Sequence, residues 1–63
     1  MKEKSNSKSR RALAAEFYAL ALDHEKKHDY MKAYDYYRKS LKLHKDAEVT
    51  KAYIKLLSII GPL

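Results

Sequence analysis

The 63 residues, with 14 Lys and Arg against 8 Asp and Glu (net +6), leave room for one small domain at most. The chain has no Cys, which excludes disulfides and thiolate metal sites, and its single Gly and single Pro argue against a many-turned β-fold. No run approaches the roughly 20 apolar residues of a membrane span, and the opening MKEKSNSKSRR lacks the apolar core of a leader, so an all-α, cytoplasmic domain is expected.

Charge divides the chain. Lys2, Lys4, Lys8, Arg10 and Arg11 against Glu3 give residues 1–11 a net +4, while the remainder carries only +2. Residues 1–9 read as a flexible basic tail and 10–63 as one three-helix domain. A solvated terminus is the plain reading of such a tail. The functional alternative is an electrostatic arm of a small basic nucleic-acid-binding protein. The tail offers no aromatic ring to stack on bases.

Ser9 can cap the first helix, although Ser5 or Ser7 would also serve. Leu13, Phe17, Leu20, Ala21 and His24 then fall at i, i+4, i+7, i+8 and i+11, one helical stripe, with Ala15, Tyr18 and Leu22 forming a second beside it. More than half of this helix is therefore apolar, wider than one surface contact requires. Glu25-Lys26-Lys27-His28-Asp29 reads as the break, and Asp29 as the cap of a second helix facing inward through Tyr30, Ala33, Tyr34, Tyr37 and Leu41. That helix fades at Leu43-His44-Lys45, whose cationic side chains suit a carboxyl end. Asp46 caps a third helix with the stripe Val49, Ala52, Tyr53, Leu56, Ile59 and Ile60, widened by Leu57; Gly61-Pro62 ends it. Connections of a few residues make neighbouring helices antiparallel, giving a three-helix antiparallel bundle.

Residues 14–47 resemble one tetratricopeptide repeat, a helix–turn–helix unit of 34 residues. Phe17 stands at the opening aromatic, Leu20-Ala21 at the leucine–small pair, Asp29-Tyr30 and Ala33 at the turn and second crossing, and Tyr36-Tyr37, Leu41 and Leu43 at the finish. The departures are His28 at the turn Gly, Ser40 at a crossing Ala and Lys45 at the closing Pro. The resemblance implies a hairpin whose third helix is a capping helix rather than a second repeat. The chain is also similar to the three-helix microtubule-interacting-and-trafficking domain, through Ala21, Glu25, Asp29-Tyr30, Ala33 and Tyr37. Members of that family have a longer second helix, and Asp46 favours the shorter one.

His24 and His28 have the i, i+4 spacing of a helical metal clamp, but no third ligand follows and His28 falls in the turn; no metal or other cofactor is expected. Asp23, Glu25, Asp29 and Asp35 alternate with lysines and read as a solvated, ion-paired face, so no catalytic residues are expected. Repeats that grip carboxylate-ended chaperone peptides carry Lys and Asn where this chain has Tyr18 and Leu22, so the resemblance implies an apolar helix or peptide instead. The expected function is a non-catalytic protein–protein interaction module, an adaptor or assembly factor. Ala15, Tyr18, Leu22 and Lys26 form its docking stripe and Tyr36 a rim residue. Leu57, Ile59 and Ile60 cannot all turn inward, which adds a self-association patch and an expected homodimer.

Overall fold

A computed structural model describes residues 9–61. The tail other than Ser9, together with Pro62 and Leu63, lies outside the described residues. Three helices follow in order: α1 (Arg10–Lys26), α2 (Tyr30–Leu43) and α3 (Ala47–Ile60), with no strand among the described residues. Each helix begins on the side chain expected to cap it. Ser9 Oγ accepts from Ala12 N at 3.0 Å, Asp29 Oδ1 from Lys32 N at 3.4 Å, and Asp46 Oδ1 from Glu48 N at 2.9 Å. These bonds satisfy main-chain donors that a helix start otherwise leaves open.

The first helix runs two residues past its expected end. Its last turn closes with His28 N donating to Glu25 O at 2.9 Å and Asp29 N to His24 O at 2.8 Å. That pair of bonds is a Schellman motif, which requires a left-handed residue between them. His28 takes that conformation, with φ 63°. Gly61 ends α3 with φ 95° and its N–H on Leu57 O.

α1 and α2 run antiparallel and pack closely. Arg10 Nε, at the start of α1, donates to Leu43 O at the end of α2 at 3.3 Å. Ala14, Ala21 and Ala33 are buried where the two helices meet, and short side chains there let the backbones approach. The larger residues of α1 are pushed to the flanks. The expected inward stripe of α1 is thus rotated: Ala14 and Ala21 face α2, Phe17 and His24 are half-buried to one side, and Leu20 remains 41% exposed.

α3 packs against α2 and closes the core. Tyr37, Val49 and Leu56 are buried with Ala21 and Ala33, and Tyr18, Tyr30, Tyr34, Tyr53 and Ile60 pack around them. Burying Leu56 contributes about 2 kcal/mol. Tyr34 and Tyr53 stack across the α2–α3 seam at 5.7 Å between centroids. Ile59, expected on the inward stripe of α3, is 49% exposed, because its neighbour Ile60 takes the inward position.

Candidate interaction surface

On α1, the stripe of Ala15, Tyr18, Leu22 and Lys26 lies beside the helix's contact with α2. Ala15 and Lys26 are exposed and Leu22 is 38% exposed. Tyr18 differs from the other three. It is half-buried, packed on the core with its ring 6.1 Å from that of Tyr37. It forms the inner wall of the stripe, so its removal disturbs both surface and core.

Below Tyr18 opens a cleft of about 140 Å³ between α1, the end of α2 and the start of α3, lined by Arg11, Ala15, Tyr18, Ser40, His44, Asp46 and Val49 among others. Arg11, His44 and Asp46 were not among the expected docking residues. Arg11 precedes Ala15 by four residues and Tyr18 by seven, so helical spacing already places it on their face. His44 and Asp46 belong to the α2–α3 connection, where periodicity is silent.

Beneath this face, Tyr37 Oη donates to Glu25 Oε1 at 2.5 Å. Burial raises the Tyr37 pKa well above its ordinary value, and the bond to Glu25 and that carboxylate's charge raise it further. The pair ties the last turn of α1 to the middle of α2, which accounts for α1 continuing through Glu25.

Tyr36 is not on the docking stripe. It lies half-buried on the other side of the α1–α2 seam, stacked between Phe17 (5.9 Å) and His24 (5.4 Å). Lys39 Nζ sits 5.5 Å from the Tyr36 ring centroid and 5.9 Å from that of Phe17. His24 and His28 also part company. His24 faces Tyr36, and its Nδ1, 3.6 Å from Asp29 Oδ2, lacks a hydrogen-bond partner; the ring of His28 meets Tyr30 edge-on at 5.8 Å. Asp23 pairs with Lys27 at 3.1 Å.

The three residues expected to mediate self-association are spread around α3. Ile60 packs on the core, Leu57 is half-buried, and Ile59 is exposed. Helical geometry sets Leu57 and Ile59 about 160° apart, on opposite flanks. Ile54 is the most exposed large apolar residue of α3 at 58%. No helix of the described residues is long and apolar enough to cross a membrane. Comparison of the chain with protein-family models, with curated proteins and with solved structures finds no match.

Proposed function

We propose that this chain is a non-catalytic protein–protein interaction module, a hairpin of the tetratricopeptide type with a capping third helix, which docks an apolar helix or peptide along α1. The observation that carries the reading is the stripe itself. Ala15, Leu22 and Lys26 stand exposed in line beside a cleft between helices, although α1 already buries another face against α2. Two details support the hairpin type: alanines at both crossing positions, and a left-handed residue, His28, where the repeat pattern has its turn Gly.

Selection from a library of displayed random peptides tests this reading. Enriched peptides are expected to share apolar anchors at helical or alternating spacing, and to lose binding to Leu22→Glu and Ala15→Glu. They should keep binding to Ile54→Ala, which alters the far side of α3. Circular dichroism should show every variant helical. Failure to enrich any peptide, or binding indifferent to both α1 substitutions, would overturn it.

A further inference from the structure

The α1–α2 seam on the side away from Tyr18 carries a second apolar surface. Phe17, Lys39, Lys42 and Leu43 line a shallow groove of about 280 Å³ there. Leu13 and Leu20 share the Phe17 face of α1 at helical spacing, and Leu20 is exposed. From Leu13 to His24 this line extends about 16 Å, three turns of helix. On the other side of the hairpin, the equivalent seam of α2 is filled by α3.

The two rims of this groove differ in charge. Lys32, Arg38, Lys39 and Lys42 are all exposed on the outer face of α2, against the single acid Asp35. The outer flank of α1 is close to balanced, carrying Glu16 and the ion pair of Asp23 with Lys27. We propose that the groove is a second docking site, independent of the Ala15–Lys26 stripe, for an amphipathic partner helix with apolar anchors and an acidic flank lying over α2. An acidic flank meets Lys39 and Lys42 at a partly desolvated edge, where complementary charge sets orientation and excludes wrong partners. A nucleic-acid backbone fits less well, because Phe17 and Leu43 give the groove an apolar lining. The chain's own residues 1–8 do not match either, having three lysines, one glutamate and Met1 as their only apolar side chain.

The test is fluorescence anisotropy with a labelled synthetic helix of about 14 residues, long enough to cover the line. It carries Leu at i, i+3, i+4 and i+7, Glu along one flank and Ala and Gln elsewhere. The expected result is saturable binding, at least tenfold weaker for Lys39→Glu/Lys42→Glu and for Leu20→Glu, and unchanged for Leu22→Glu on the other stripe. All these positions are exposed, and circular dichroism confirms that the variants fold. A Lys-for-Glu version of the peptide should bind at least tenfold more weakly. Equal binding of both peptides, no binding at about 100 µM, or insensitivity to the α2 lysines would overturn the proposal. So would tighter, lysine-dependent binding of duplex DNA or RNA in the same assay, which assigns the rim to phosphate. Sedimentation of the chain alone as a dimer that Leu20→Glu dissociates would assign the groove to a second copy and also overturn it.

Discussion

Ser40 Oγ donates to the main-chain carbonyl of Ala14 at 2.7 Å, from a side chain with no exposed surface. The bond joins α2 to α1 at their close crossing, where a carbonyl already engaged in its helix accepts a second donor. Ser is therefore more than a small spacer at this position. Ser40→Ala keeps the close approach and loses the bond, an expected cost of about 1 kcal/mol. Ser40→Val forces two methyl groups into the crossing and is expected to cost about 1–3 kcal/mol. Urea unfolding should rank them wild type, Ala, Val in falling stability; a Val variant as stable as wild type would mean the crossing is looser than described.

Tyr37 predicts how stability depends on pH. Its neutral form is favoured first by burial, then by donation to Glu25 and by that group's charge, so its folded pKa lies above the ordinary 10.0. Above about pH 10 the unfolded chain releases a proton that the folded chain retains, so this contribution is complete below that pH and declines as pH rises further. Tyr37→Phe is expected to cost about 1–3 kcal/mol at neutral pH, because a buried charged hydrogen bond is lost. It should also flatten the decline in denaturation midpoint as pH rises above about 10. Parallel declines in both proteins would remove Tyr37 from the account.

His28 holds a backbone conformation that costs an L-residue about 1 kcal/mol and glycine much less. His28→Gly is expected to stabilise the chain by about 0.5–1 kcal/mol, with a rise in melting temperature of about 2–8 °C. A fall in melting temperature would show that the ring contact with Tyr30 outweighs the backbone strain.

Two neighbours on the docking stripe should behave differently. Tyr18→Ala removes a ring packed on the Tyr37 core and is expected to cost about 2–4 kcal/mol, whereas Leu22→Ala should remain within about 0.5 kcal/mol of wild type. Thermal melts of the two variants check this, and equal losses would place Leu22 in the core.

Local chemistry was the most legible part of the sequence. Ser9, Asp29 and Asp46 announce their helices because a short polar side chain before an apolar period has few other uses. Gly61 marks the end of α3 for the same kind of local reason. The facing of α1 was not legible. Its apolar residues cover more than half of the circumference, so periodicity could not choose between a contact through Phe17 and Leu20 and one through Ala14 and Ala21. Close packing against Ala33 and Ser40 made that choice, and it is a property of two helices together. The stacking of Tyr36 was not legible for a related reason: its ring partners, Phe17 and His24, lie on the other helix. Ala15 and Leu22 are exposed because they lie off the α2 contact, while His44 and Asp46 sit in a connection that carries no period.

In the proposed function, a partner docks on α1 along Ala15, Tyr18, Leu22 and Lys26. Amide chemical-shift mapping of the isotopically labelled chain, titrated with a peptide recovered from the library selection, reads this docking residue by residue. The largest shifts are expected to follow that stripe and spread to Arg11, His44 and Asp46 around the cleft, with Lys51, Ile54 and Lys55 on α3 unmoved. Shifts centred on α3, or scattered evenly over all three helices, would contradict it.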